Sequence, residues 1–147
     1  NATGALLIFL SAPACGDGVF EAAKEKGFYA IGVDSDQKYI DPEVIICSMK
    51  KEVGSSIYDA VKSYLAGDSR FGTTWPADMA TGYVGIGYGD SGMTQQVPDE
   101  VKAAVEELAA KIASGELVVE TTRAEFQALP LRRGKSRAAS SIPKKVR

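Results

Sequence analysis

Residues 28–37 read Phe-Tyr-Ala-Ile-Gly-Val-Asp-Ser-Asp-Gln, an apolar run that ends in a cluster of polar side chains. A continuous apolar run of this length is typical of a β-strand that is buried on both faces of a parallel sheet. We therefore predict a strand over residues 28–33 that ends at Asp34. Residues 5–10 and 44–48 have the same character and predict two further buried strands.

Helical patterns separate these strands. Residues 19–26 predict a helix with Asp17 as its N-cap and Gly27 as its C-terminal stop. Residues 53–65 predict a second helix from their apolar spacing, and residues 99–114 predict a third that follows a proline and ends before a glycine. Strands that alternate with helices in this way predict a three-layer, doubly wound α/β fold with a mainly parallel sheet.

Shorter stretches complete the predicted domain. Residues 70–75 and 82–88 are expected to pair as a hairpin or as return strands, and residues 117–119 to form a short terminal strand or an extended exit. No apolar run approaches the roughly 18 residues that a membrane-spanning helix needs.

Composition excludes several classes of site. The chain has 147 residues, no His, two Cys and 45% hydrophobic residues, which is typical of one globular domain. Without His, it cannot build a Ser-His-Asp or Cys-His nucleophile or a His-ligated metal site. Residues 1–122 hold nine basic and 18 acidic side chains, whereas residues 123–147 hold eight basic and one acidic side chain. We therefore predict an α/β domain over residues 1–122 that does not bind nucleic acid, and a basic, disordered tail over residues 123–147.

Polar residues follow each of the three predicted strands. Gly16 lies in the turn after the first strand, Asp34 and Asp36 follow the second, and Lys51 follows the third. The carboxyl ends of parallel strands meet at one edge of a sheet, where the ligands of α/β proteins bind. A carboxylate at such an edge can accept charge-assisted hydrogen bonds from adjacent sugar hydroxyls. These four residues are the predicted ligand-binding site, without a metal.

Two other functions fit the same residues. The Asp34-Ser35-Asp36 sequence is similar to the Asp-x-Asp motif of haloacid-dehalogenase-type phosphatases, in which the first Asp attacks phosphorus and the pair binds magnesium. That motif normally has Thr or Val two residues after the second Asp, where this chain has Lys38. A non-catalytic regulatory module of the same layered architecture is the second alternative.

Longer stretches resemble the basic membrane protein family, the purine-nucleoside-binding lipoproteins of bacterial ABC transporters. The resemblance covers roughly residues 3–120, and the block Gly-Val-Asp-Ser-Asp-Gln at residues 32–37 is its most specific part. Residues 18–27, 48–54, 57–61 and 97–102 extend it. The resemblance implies one lobe of a type I periplasmic-binding-protein fold, in which two lobes close on a ligand. The implied function is that of the substrate-binding component of an ABC importer, which is not an enzyme.

The resemblance also implies a role for individual residues of the site. Asp34 matches the aspartate that hydrogen-bonds the ribose hydroxyls, and Lys51 matches a lysine that reaches toward the nucleoside. Gly16 belongs to a glycine-rich turn that lets the backbone approach the ligand. That turn departs from the family pattern, because Pro13 and Ala14 stand where glycines are usual.

Partners and a location follow from the same resemblance. It implies a purine nucleoside as ligand, no cofactor, the permease subunits of an ABC transporter as partners, and a first lobe of the same protein that this chain lacks. Proteins of this family are extracytoplasmic, membrane-anchored lipoproteins. The signal peptide and lipidation site are therefore expected upstream of this chain.

Overall fold

The computed structural model describes residues 4–12, 16–68 and 70–119, so the predictions for the turn at 13–15 and the tail at 123–147 lie outside the described residues. The helices and strands are β1 Leu7–Phe9, α1 Gly16–Lys26, β2 Tyr29–Asp34, β3 Ile45–Lys51, α2 Val53–Leu65, β4 Val84–Gly87 and α3 Asp99–Ala113. The described strands form a sheet in the order β1-β2-β3-β4, parallel from β1 to β3 and antiparallel between β3 and β4. The predicted α/β fold with a mainly parallel sheet is confirmed.

The core lies between α1 and the sheet. Phe20 and Ala23 are buried on one face of α1 because they lie about one helical turn apart. They belong to one apolar cluster with Leu10, Ala30 and Ile45, which come from the end of β1, from β2 and from β3. This packing holds the three parallel strands side by side, and with them the end of β2 at which the predicted site begins.

Two predictions at the start of the chain were wrong. β1 is not buried on both faces, since Leu7 and Phe9 are 45% and 53% exposed. It lies at an edge of the described sheet, and Ile8, between these two residues, packs against the core. α1 begins at Gly16, which places Asp17 inside the first turn rather than at the N-cap. A carboxylate in the first turn still interacts favourably with the helix dipole.

The predicted strand over residues 70–75 is absent from the described structure, and β4 pairs with β3 instead. Trp75 Nε1 donates a hydrogen bond to the carbonyl of Arg70 at 3.0 Å, and the Arg70 guanidinium lies over the Trp75 ring. These local contacts hold the segment in a turn, in competition with strand pairing. Of the two alternatives predicted for residues 117–119, the terminal strand is absent.

Helices α2 and α3 contribute no buried residues. The apolar face predicted for α2 points outward, because Val53, Ile57 and Val61 are each more than half exposed. The Tyr83 hydroxyl donates to Asp59 at 2.6 Å and links α2 to the segment before β4. Among the described helices, none is both long and apolar enough to cross a bilayer.

The connection from β2 to β3 shapes the site. A crossover between parallel strands usually contains a helix, but residues 35–44 contain none. They fold back across a row of small residues, Gly32, Ser48 and Gly87, which lie opposite one another on β2, β3 and β4. A Cβ atom on Gly32 would lie 2.7 Å from Ser48 Oγ and 2.8 Å from Gln37 Oε1. The lack of a side chain at Gly32 therefore lets the connection lie directly on the sheet.

Candidate ligand-binding site

Asp34 ends β2 in a strained backbone conformation. Its φ is +68°. Among the described residues, Asp34 is the one residue other than glycine that has a positive φ. The amide of Ser35 donates to the carbonyl of Val33 at 2.9 Å, which closes a γ-turn around Asp34. A residue with a side chain costs roughly 1 kcal/mol in the left-handed region. Strain of this kind is concentrated at functional sites, which makes Asp34 the first candidate here.

The Asp34 carboxylate is only partly engaged by the protein. Lys51 Nζ lies 2.9 Å from Asp34 Oδ1, an ion pair by distance whose angles do not align a hydrogen bond. This oxygen is hidden from solvent and accepts no hydrogen bond from the described residues. The Asp34 side chain as a whole is nevertheless 36% exposed. Oδ2 is therefore the oxygen that can face a ligand.

The register of the sheet brings Lys51 to Asp34. Asp34 lies opposite Lys50 across β2 and β3, so Lys51 ends β3 at the same sheet edge. The Lys50 ammonium lies 2.6 Å from Glu52, and this hydrogen bond raises the pKa of Lys50. Lys51 is thus the lysine of this pair whose ammonium reaches the Asp34 carboxylate.

Asp36, the other predicted carboxylate, is bound within the protein. Its Oδ2 accepts a hydrogen bond from the amide of Gly89 at 2.8 Å. Its Oδ1 accepts from Ser48 Oγ at 3.3 Å and from the amide of Lys38 at 3.2 Å. Asp36 therefore ties the segment after β4 to the edge formed by β2 and β3, and it offers fewer free acceptor sites to a ligand than Asp34 does.

Gln37 is a positioning residue that the sequence reasoning missed. Its side-chain Oε1 accepts a hydrogen bond from the backbone amide of Val33 at 2.8 Å, and its backbone amide donates to Ser48 Oγ at 3.0 Å. The first contact links the two ends of the short stretch that contains Asp34. A glycine inside a strand indicates close approach of another group, so Gly32 was the sequence signal that could have revealed this arrangement.

Lys38 is fully buried and was also missed as a structural residue. Its ammonium donates to the carbonyl of Ile45 at 2.8 Å, to that of Ile46 at 3.3 Å and to Gln96 Oε1 at 2.6 Å. Gln96 in turn donates to the carbonyl of Pro42. Lys38 thus joins the start of β3 to the segment that leads into α3. Burial lowers the pKa of Lys38, because desolvation disfavours its charged form.

The lowered pKa of Lys38 predicts a pH dependence of stability. Between the folded-state pKa and the unfolded value of 10.5, the unfolded chain binds the proton more tightly than the folded chain. The free energy of unfolding contributed by Lys38 therefore increases as the pH rises through this window toward 10.5. Urea unfolding gives the free energy of unfolding of the wild type and of Lys38→Met. The value for the wild type minus that for the variant should increase from neutral to alkaline pH. A difference that is constant, or that changes in the opposite direction, would show that this linkage is absent.

Gly16 occupies the first position of α1, where it is buried beside Leu10 and Phe20. A Cβ atom added to Gly16 would meet these side chains at 3.7 to 3.8 Å, an ordinary van der Waals distance. The described contacts of Gly16 are therefore with the core. Residues 13–15 of the same turn lie outside the described residues.

The geometry is poorly suited to the Asp-x-Asp phosphatase alternative. Magnesium needs carboxylate oxygens that are free to coordinate it. Both oxygens of Asp36 accept hydrogen bonds within the protein, and the Lys51 ammonium lies against Asp34. Within the described ranges, no group of three or more Asp, Glu, Cys or His side chains could hold a metal ion.

A cavity of about 510 Å³ lies away from this edge, between α2 and residues 68–83. Its lining includes Lys62, Arg70, Trp75 and Tyr83 but neither Asp34 nor Lys51. The edge at Asp34 is therefore not part of that cavity.

Comparison with known proteins identifies the family. The family model of PnrA-like ABC transporter substrate-binding proteins matches residues 1–123. Basic membrane protein C of Borreliella burgdorferi is 32% identical over 123 residues, which cover 82% of this chain and 34% of that protein. Basic membrane protein D of the same organism is 48% identical over 64 residues, which cover 42% of this chain and 19% of that protein. The chain thus spans about a third of these relatives' length or less.

Solved structures show the same fold. A solute-binding protein of an ABC transporter system from Aeropyrum pernix K1 has a TM-score of 0.66 at 25% identity, over 83% of this chain and 42% of that one. A transcriptional activator of the comK gene from Bacillus halodurans has a TM-score of 0.70 at 21% identity, over 81% of this chain and 40% of that one, which is a likeness of fold alone. The predicted architecture, a lobe of a type I periplasmic binding protein, is confirmed. The chain belongs to the PnrA-like family of ABC transporter substrate-binding proteins.

Proposed function

We propose that the sheet edge at Asp34 binds the ribose of a purine nucleoside, as part of the substrate-binding component of an ABC importer. The observation that carries this proposal is the contrast between two carboxylates on one connection. Asp36 accepts three hydrogen bonds within the protein, whereas Asp34 has an ion pair with Lys51 and accepts no hydrogen bond at Oδ1. A carboxylate that keeps an ionic partner and lacks hydrogen-bond donors suits a neutral polyol, which supplies hydroxyl donors without adding charge.

Each predicted site residue has a distinct part in this proposal. Asp34 accepts hydrogen bonds from the ribose hydroxyls, and Lys51, whose side chain is 54% exposed, donates to the ligand from the same edge. Asp36 keeps its predicted place at the site but acts by holding the Gly89 segment in position. Gly16 is proposed to contribute through the start of α1, where its described neighbours are Leu10 and Phe20. The proposal gives no residue a catalytic role.

A second lobe completes the proposed site. The Asp34 carboxylate and the Lys51 ammonium lie on an open edge, so water competes with the ligand for both. Closure of a second lobe over this edge would remove that water and strengthen the hydrogen bonds to the ligand. We infer that the second lobe belongs to the same longer protein, which is held at the outer face of a membrane by a lipid anchor and delivers its ligand to permease subunits.

The proposal predicts weak guanosine binding that depends on Asp34. In NMR spectra of this chain, millimolar guanosine should shift the amide signals of Asp34 and Lys51. Asp34→Asn keeps the size of the side chain but removes its charge, and it should weaken binding about tenfold, because hydrogen bonds to charged groups contribute roughly 1.5–3 kcal/mol. The matched control Asp99→Asn changes a fully exposed carboxylate at the start of α3 and should leave the affinity unchanged.

Three outcomes would count against the proposal. If guanosine causes no shift at this edge, or the same shift in wild type and Asp34→Asn, the ribose contact is wrong. Nanomolar affinity in this chain would contradict the need for a second lobe. Magnesium-dependent hydrolysis of an aryl phosphate that Asp34→Asn abolishes would instead support the phosphatase alternative.

A further inference from the structure

The cavity of about 510 Å³ between α2 and residues 68–83 has a charged lining. Its volume lies within the range of roughly 300–1,000 Å³ that is typical of small-molecule sites. We name it the α2 cavity. Two acidic and two basic side chains line it, namely Asp59, Asp68, Lys62 and Arg70.

The two walls of the α2 cavity are tied to each other within this chain. The Tyr83 hydroxyl donates to Asp59 at 2.6 Å, and the amide of Glu52 donates to the carbonyl of Tyr83 at 2.8 Å. Near the end of the helix, the amide of Asp68 donates to the carbonyl of Ser63 at 2.9 Å. These bonds hold both walls in place before a ligand arrives, which lowers the cost of binding.

One acid–base pair of the lining is closed. Arg70 donates to Asp68 Oδ2 from Nε at 2.7 Å and from Nη2 at 2.5 Å, and its backbone amide donates to Asp68 Oδ1 at 2.9 Å. The same guanidinium lies over the Trp75 ring, 4.3 Å from its centre. The hydrogen bonds from Arg70 lower the pKa of Asp68, so this pair stays ionised and its two charges cancel.

The other acid–base pair of the lining is open. Asp59 and Lys62 lie three positions apart on α2, a spacing at which opposite charges usually pair. Asp59 Oδ2 instead accepts from Tyr83, and Asp59 Oδ1 accepts no hydrogen bond from the described residues. Among the same residues, the Lys62 ammonium has neither a hydrogen bond nor an ion pair. The α2 cavity therefore offers one negative and one positive side chain that do not bind each other.

We propose that the α2 cavity binds an α-amino acid with an apolar side chain, a second ligand that does not depend on the site at Asp34. The carboxylate of the amino acid pairs with Lys62, and its ammonium pairs with Asp59. A ligand with a single charge would leave one of these two side chains without a partner, so a zwitterion is preferred. The apolar part of the lining receives the side chain of the ligand and consists of Ala66, Trp75 and Pro76.

NMR titration of the full chain with leucine and two blocked forms of leucine tests the proposal. Millimolar leucine should shift the amide signals of Lys62 and Ser63, and the signals of Asp34 and Lys51 should not respond. N-acetyl-leucine lacks the ammonium, and leucinamide lacks the carboxylate. Each should bind about tenfold more weakly than leucine, which is the usual effect of losing one hydrogen bond between charged groups.

Two variants remove the charges of the open pair one at a time. Lys62→Met keeps the apolar stem and removes no described contact of the ammonium, so the chain should stay folded while leucine binding weakens about tenfold. Asp59→Asn keeps an oxygen that can accept from Tyr83 and should weaken binding by a similar factor. Lys111→Met is the matched control, because Lys111 lies on α3 and does not line the cavity. Circular dichroism should show that all variants stay folded.

Three results would overturn the proposal. The first is a folded wild type in which leucine at tens of millimolar moves neither the Lys62 nor the Ser63 signal. Binding of N-acetyl-leucine as tight as that of leucine would show an anion site instead of a site for a zwitterion. Equal losses of leucine affinity in Lys62→Met and Lys111→Met would place the contact outside the α2 cavity.

Discussion

Lys38→Met is expected to lower the free energy of unfolding by about 3 kcal/mol. Methionine keeps the apolar length of the side chain but removes the three hydrogen bonds to Ile45, Ile46 and Gln96. Because Lys38 is fully buried, water cannot supply the missing donor without opening the structure. Urea unfolding should show a lower midpoint at an unchanged m-value, which is the mark of a change in stability alone.

Lys111→Met provides the matched control. Lys111 lies 2.6 Å from Glu107 one turn away on α3, and both side chains are substantially exposed. An exposed pair of this kind contributes about 0.5 kcal/mol or less, so the control should barely move the midpoint. If both lysine variants lose the same stability, the buried hydrogen bonds of Lys38 do not hold the segment as described.

Gly87→Ala should destabilise the chain by about 2 kcal/mol, because the site has no room for a methyl group. A Cβ atom on Gly87 would lie 2.7 Å from Asp36 Cγ and 2.9 Å from Lys50 Cδ. The Lys50 side chain can move away. Asp36 cannot move without losing its hydrogen bonds to Gly89 and Ser48. Thermal or urea unfolding measures the loss.

Gly85→Ala on the same strand separates this clash from a general effect of alanine. A Cβ atom on Gly85 would have no neighbour within 4 Å, so its substitution should be neutral or slightly stabilising. Adding Asp36→Ala to Gly87→Ala should cost less than the sum of the two single changes, since both remove the same contacts. Additive losses would mean that Gly87 and Asp36 act independently.

Apolar runs predicted the parallel strands correctly, because a strand that is covered on both sides leaves no polar positions in its sequence. The same rule failed for β1, which exposes Leu7 and Phe9 at an edge of the described sheet. The apolar run from Ala5 to Leu10 is typical of a strand buried on both faces, but the described residues do not cover Leu7 and Phe9. Helical spacing likewise located α2 but could not show that its apolar face points outward.

The candidate site was likewise predicted only in part from the sequence. Strand ends placed Asp34 at one edge with two lysines, the family resemblance selected Lys51, and the structure brings the charged groups of Asp34 and Lys51 within 2.9 Å. Their role in binding a ligand stays a prediction. Asp36 looked equivalent to Asp34 in sequence, yet its oxygens are bound to Ser48 and Gly89. Two identical side chains on one short connection thus have different surroundings.

Neighbouring residues were enough to locate the three parallel strands and the carboxylate at the exit of β2, since those features depend on consecutive side chains, although β3 runs on to Lys51 beyond its predicted end at residue 48. Folding alone decided which polar groups are already satisfied. Asp36 finds partners 12 and 53 residues away, and the Lys38 ammonium reaches Gln96 across 58 residues. Hydrogen bonds over such separations leave no local pattern, because they depend on how the strands and the connection of residues 35–44 meet in space.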